Sequence, residues 1–189
     1  MPASVEQAPW VIVAGGFHEH GGMDRANAAL AKYLLDSGVP VHLVGHEIDR
    51  RFIEDPLATA HVVPRPRGFP GLAERLLART GVRVARAAAA RHPLSRVVVN
   101  GGNCEWPDIN WVHAVHAAWP VVDAGAPLWS RYRNRRLKAD AVQRERRTLP
   151  HAGLVIANSE STRRALIDRV GVPPARIRTV YLGSDPSWH

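Results

Sequence analysis

At 189 residues the chain can bury one sizeable α/β core, and a composition that is 46% hydrophobic and 22% charged excludes a disordered or fibrous protein. The formal charge of +8 comes almost wholly from arginine, Lys32 and Lys138 being the only lysines, and it favours phosphate-bearing partners without choosing among nucleotides, lipids and nucleic acid. Cys104 is the only cysteine, so no intrachain disulfide can form. No apolar run reaches bilayer length, and residues 1–7 lack the regions of a signal peptide, so the expected location is the cytoplasm.

The chain is organised around its opening stretch. Val11-Ile12-Val13-Ala14 has no polar alternation, which predicts a buried strand. A glycine-rich turn, Gly15 to Gly22, follows. Ala26, Ala29, Leu30, Tyr33 and Leu34 then recur at helical spacing, with Gly38 placed as the C-terminal cap. A strand, a glycine loop and a helix aim free backbone N–H groups at any anion beyond the strand, and glycine lets that anion come close. The spacing is neither the dinucleotide fingerprint G-x-G-x-x-G nor a P-loop, since no Gly-Lys-Ser/Thr follows.

Val39–Val44 is the second predicted strand and His61–Val63 the third, closed by the proline-rich loop Pro64–Gly71. Leu72–Arg91 is predicted as a helix that Gly81 bends or splits. Arg96–Asn100 is a fourth strand, leading into Gly101-Gly102, and Asn110–His116 a fifth. A loop over Pro120–Pro127 precedes a long, very basic helix, Leu128–Leu149. Leu154–Ala157 is the sixth strand. Ser161 or Thr162 caps the next helix, Gly171 and Pro173-Pro174 stop it, and Ile177–Tyr181 is the last strand before a turn at Gly183-Ser184-Asp185. Strands alternating with helices predict a Rossmann-like, doubly wound parallel sheet with helices on both faces, whose ligands bind beyond the strands' carboxyl ends.

Two stretches carry a resemblance. One is the strand, the loop ending Gly21-Gly22-Met23 and the helix after it. The other is LVIANSESTRRALIDRVGVPPARIRTVYLGSD, residues 154–185, with a Ser-x-x-(Ser/Thr) helix start, a "GVP…I…V" run and a closing turn. Together they resemble the N-terminal, acceptor-side domain of family 4 glycosyltransferases, which have the GT-B fold. Leu182 and Ser184 depart from the family's Asn-Gly-Val-Asp-like turn. The resemblance implies one domain over residues 1–185 and the start of an interdomain linker at 186–189. The donor-binding domain, with its paired glutamates, is expected elsewhere, either in a longer chain or on a second one.

The resemblance implies a retaining, metal-independent transfer of a sugar from a nucleotide diphosphate sugar, a substrate and not a cofactor, to an acceptor hydroxyl of a small molecule, glycan or lipid. It places Gly21 and Gly22 near the donor diphosphate. A histidine at the end of the fifth strand faces the sugar in many members. Of His113 and His116, strand alternation puts one on the packed side and the other at the mouth, so His116 is the catalytic candidate, and His113, the packed one, is counted with the acceptor-binding residues. His18 and Glu19 are assigned to the acceptor pocket. Asn100 and Asn103, with Glu105 and Asp108, are positioned either to bond acceptor hydroxyls or to make turns. His18-Glu19-His20 lacks the spacing of a zinc site, so no metal is expected.

Two other classes compete. A nicotinamide-dependent oxidoreductase would use Glu47 or Asp49 on a ribose, against the glycine spacing. A nucleic-acid-binding module would use the arginines but has no recognition motif. The basic helix, with Trp129, Tyr132, Leu137 and Val142 among its arginines, is either a solvated face or a peripheral contact with the inner, anionic face of a membrane.

Overall fold

The computed structural model describes residues 7–120, 125 and 127–183. In chain order the elements are β1 (Trp10–Val13), β2 (Gly16–Phe17), α1 (Gly22–Asp36), β3 (Val41–Gly45), β4 (Glu47–Ile48), α2 (Arg50–Ile53), β5 (Ala58–Val62), α3 (Pro70–Arg91), β6 (Arg96–Asn100), β7 (Ile109–Val112), α4 (Leu128–Thr148), β8 (Leu154–Ala157), α5 (Glu160–Ala165) and β9 (Ile177–Thr179). Seven strands form one parallel sheet in the order β5-β3-β1-β6-β7-β8-β9, as the alternation of strand and helix predicts. The order reverses between β1 and β6. That reversal opens a crevice beyond their carboxyl ends.

Side-chain alternation along β1 divides the core. Val11 and Val13 pack with Leu77, Val84, Ala85 and Ala88 of α3, while Ile12 and Ala14 pack with Ala28, Ala31, Leu34 and Leu35 of α1. A third cluster joins Val112, Leu149, Val155, Leu166 and Ile177 over β7 to β9. Both faces of the sheet are therefore covered, which is why the strands have near-continuous apolar sequences.

Several boundaries differ from the sequence reading. Of the expected stripe in α1, Leu34 is buried and Leu30 packs against the core, whereas Tyr33 is 68% exposed. The buried face adds Asn27, Ala28, Ala31 and Leu35 to Leu34. Gly38 does cap α1, at φ +77°, with Val39 N–H donating to the Leu34 carbonyl and Gly38 N–H to that of Leu35. α3 runs unbroken through Gly81. A Cβ there would lie 2.9 Å from Val13 and 3.1 Å from the Cys104 sulfur, so this glycine seats the helix on β1 and does not bend it.

The third strand starts earlier than expected, at Ala58, because parallel pairing with β3 extends it backwards. α5 is capped by Ser159, whose Oγ accepts from Thr162 N–H at 3.1 Å, and not by Ser161 or Thr162. The last strand ends at Thr179, where its pairing with β8 runs out. The predicted fifth strand stops at Val112, so His113 and His116 lie beyond the sheet, His116 opening a short 3-10 turn. Ser184 and Asp185 of the predicted final turn, the linker positions 186–189 and most of the 120–127 loop lie outside the described residues.

Candidate active site

A cleft of about 280 Å³ occupies the crevice at the β1–β6 reversal. Gly15 follows β1 into it, Asn100 to Asn103 enter from the end of β6, and His113 to His116 from the end of β7. The first turn of α1 contributes Met23 and Asp24, and α4 contributes Ala141, Arg144 and Glu145.

Asparagines, two of them buried, hold the loops that shape it. Asn27, inside α1, donates to the Gly16 carbonyl at 3.3 Å, and Asn110, inside β7, donates to the Gly101 carbonyl at 2.8 Å. Asn158, after β8, donates to the His113 carbonyl at 3.1 Å and accepts from the Thr162 hydroxyl at 2.7 Å. Each replaces a backbone partner that a loop carbonyl would otherwise lack.

The two histidines differ in kind. The His113 ring stacks at 4.7 Å from Trp111, and both its nitrogens are buried without a partner among the described residues. Burial pushes its pKa below the ordinary imidazole value, with the Asp24 carboxylate pulling weakly the other way. His116 is 59% exposed and anchored at one nitrogen. Its Nδ1–H donates to Glu145 Oε1 at 2.7 Å, which leaves Nε2 without a hydrogen bond among the described residues. The hydrogen bond to Glu145 raises the His116 pKa against the opposing effect of burial.

Glu145 itself is only 1% exposed. Besides the His116 ring it accepts the backbone N–H of His116 at 2.8 Å and that of Ala117 at 3.2 Å. One carboxylate therefore ties the turn after β7 to α4. The basic helix hides this residue in a run of charges, QRERR; its signal is an acid one helical turn after Ala141, on the stripe that carries the buried residues of α4.

A glycosyltransferase family 4 model matches residues 20–188. The chain belongs to glycosyltransferase family 4. No curated protein matches it. Among solved structures it is similar to WaaG, a glycosyltransferase involved in lipopolysaccharide biosynthesis, at TM-score 0.64 and 14% identity over 94% of this chain and 46% of that one. It is also similar to the sucrose-phosphate synthase of Thermosynechococcus elongatus, at TM-score 0.59 and 14% identity over 95% of this chain and 49% of that one. The Rossmann-like sheet is the one shared with these GT-B glycosyltransferases, and this chain spans about half their length.

In this family 4 domain the sequence-predicted residues fall into two groups. Asn100, Asn103, His113 and His116 line the cleft together. His18, Glu19, Gly21 and Gly22 do not line it, although they belong to the same glycine loop as Gly15. His18 Nε2 lies 3.5 Å from Glu47 and 3.7 Å from Asp24, and Glu19 pairs with Arg51 at 2.7 Å. Glu47 and Asp49, which a dinucleotide reading would place on a ribose, face His18 and Arg65, and Arg51, respectively.

The two glycines are there for different reasons. Gly21 sits at φ +83°, ψ 151°, a conformation essentially reserved for glycine, and it precedes the first turn of α1 without any side-chain cap. Gly22 has ordinary helical geometry, and a Cβ on it would meet nothing within 4 Å. The fold requires the first glycine and leaves open space beside the second. The first turn also carries Asp24, which the sequence reading passed over. Its carboxylate shares the positive end of the helix with any arriving anion.

Proposed function

We propose that this family 4 domain is the acceptor-side half of a retaining, metal-independent glycosyltransferase that moves a sugar from a nucleotide diphosphate sugar to an acceptor hydroxyl. The single observation that carries the reading is the convergence of Asn100, Asn103, His113 and His116 in one cleft at the strand-order reversal, beside the open N-terminus of α1. Asn100 and Asn103 offer hydrogen bonds to acceptor hydroxyls. His116, with an Nε2 that has no partner among the described residues and a raised pKa, offers a hydrogen bond to the sugar or the departing diphosphate. Gly21 and Gly22 leave room for that diphosphate at the helix terminus. Rate enhancement then comes from positioning and from charge stabilisation at the leaving group.

The reading assigns the base and ribose pockets to a donor domain supplied in cis or in trans. The 189-residue chain alone should therefore turn over no nucleotide sugar. An enzyme uniting it with a donor domain should transfer sugar, and chelation of divalent cations should leave the rate unchanged. In that enzyme His116→Ala should lower kcat by on the order of 10²-fold while raising KM less. Transfer by the isolated chain, or full activity of His116→Ala, would overturn the reading.

The same reading extends to location. Leu128, Trp129 and Tyr132 are 80%, 65% and 66% exposed on the arginine-rich first half of α4, where no residue is buried. An exposed apolar and cationic helix end favours peripheral contact with an anionic membrane, and no helix among the described residues is long and apolar enough to cross one. Vesicles containing anionic lipid should sediment the chain at low salt and release it at high salt. Equal binding to neutral vesicles, or none to either, would exclude the contact.

A further inference from the structure

We propose that the groove between α3 and α4 binds a single-tailed alkyl phosphate, a free amphiphile with a phosphate head and an apolar body. The groove measures about 520 Å³ and lies beside the active-site cleft, with Gly102 and Arg144 bordering both. Volumes of that order hold small molecules, not single ions.

Arg79, Arg83 and Arg86 stand four and three residues apart along α3, so they share one helix face and line the groove together. None of the three pairs with a carboxylate among the described residues. Arg144, across from them, forms an ion pair among the described residues only with Glu74, at 3.9 Å. Like charges at this spacing oppose helix formation, and a dianion between them removes the repulsion. Guanidinium forks match phosphate oxygens in geometry as well as in charge.

The rest of the lining excludes a bare anion as the whole ligand. Ala78, Val82, Gly102 and the buried Cys104 supply an apolar surface, with Thr148 and Glu105 completing the lining. The Cys104 thiol is pushed up to about 12, by burial first and by the neighbouring Glu105 carboxylate second, so at neutral pH it is an unreactive thiol in apolar surroundings. Glu105, exposed, is the one acid among the described residues that line the groove, and Glu74 pairs with Arg144 at its border. The apolar surface takes the alkyl body and the arginine row takes the head. This assignment does not depend on the transfer reaction.

The experiment is calorimetric titration of the 189-residue chain with decyl phosphate held below its micelle concentration. One saturable site is expected, with inorganic phosphate and decyl maltoside each binding at least about tenfold more weakly, since each supplies only half of the recognition. Arg79→Gln combined with Arg83→Gln should weaken decyl phosphate by about tenfold or more, the loss of two charge-assisted hydrogen bonds. Arg135→Gln combined with Arg146→Gln removes the same charge from the other side of α4, where both residues line a separate groove, and should leave binding unchanged; thermal melts confirm that both variants fold. Absence of a saturable site, equal binding of inorganic phosphate, equal losses in the two double variants, or binding to anionic vesicles alone would each overturn the proposal.

Discussion

The two sides of the cleft are built by different means. On the β1–α1 side, the shape follows from neighbours in sequence: an apolar strand, glycines that take conformations other residues resist, and a helix capped by Gly38. On the β7–α4 side, it depends on Glu145 reaching 29 residues back to the turn at His116. The first side leaves a helix terminus open to an anion. The second fixes one imidazole in place and biases its charge. Local rules thus suffice to make a binding surface, whereas the polarised histidine exists only once the sheet and α4 have met.

The largest effect should follow from cutting that long-range tie. Glu145→Ala strands two backbone N–H groups and the His116 ring, which should cost on the order of 2–5 kcal/mol. At this chain length a thermal melt should then fall by roughly 4–20 °C. An unchanged melt would mean that the turn is held by its own packing.

Gly21→Ala should cost less, about 1–3 kcal/mol, because alanine is strained at this backbone conformation. Gly22→Val should change stability by no more than about 1 kcal/mol, there being open space for the new side chain. In an enzyme with its donor domain the same valine should abolish donor use. Equal destabilisation by the two substitutions would erase the distinction between a glycine the fold needs and one the ligand needs.

The smallest effect is a pH dependence. The folded pKa of His116 is raised, so its stabilising contribution is complete below about pH 6.5 and fades as pH rises through the folded value. His113 acts in the opposite sense. Its folded pKa is lowered, so folding disfavours its protonation and stability falls as pH drops below about 6.5. Denaturation of wild type and Glu145→Gln between pH 5.5 and 8.5 should show the gap between them narrowing as pH rises. A constant gap would mean that Glu145 does not act on the His116 charge.

Most of the fold was legible because it rests on short-range patterns. Apolar runs mark the central strands of the main sheet, and glycine and proline mark the stops at Gly38 and Gly171, both at positive φ. The errors share a cause. Tyr33 keeps the helical spacing yet stands on the exposed side, and Gly81 seats α3 on β1 instead of bending it, because a sequence does not show how near two elements come. The β2–β4 pairing, Gly16 with Glu47 and Phe17 with Ile48, was invisible because it joins two-residue segments with no pattern of their own.

The cleft was half legible. Asn100 and Asn103 are legible because ligands gather at strand ends, and His113 and His116 through the family resemblance, but the alternation used to separate the two histidines does not reach past Val112, where the strand has already stopped. Asn27, Asn110 and Glu145 were missed because their work is to hold other residues. Their signal, a polar residue at an otherwise buried position, becomes readable only when burial is known.

The asymmetry of the cleft is tested most directly by following the two imidazoles on this chain by NMR as pH is varied, with His113→Gln and His116→Gln used to assign the signals. The account predicts that His116 titrates above about pH 6.5 and His113 below it, and that Glu145→Gln brings His116 down while leaving His113 in place. Two coincident titrations near pH 6.5, or a His116 curve indifferent to Glu145→Gln, would contradict it.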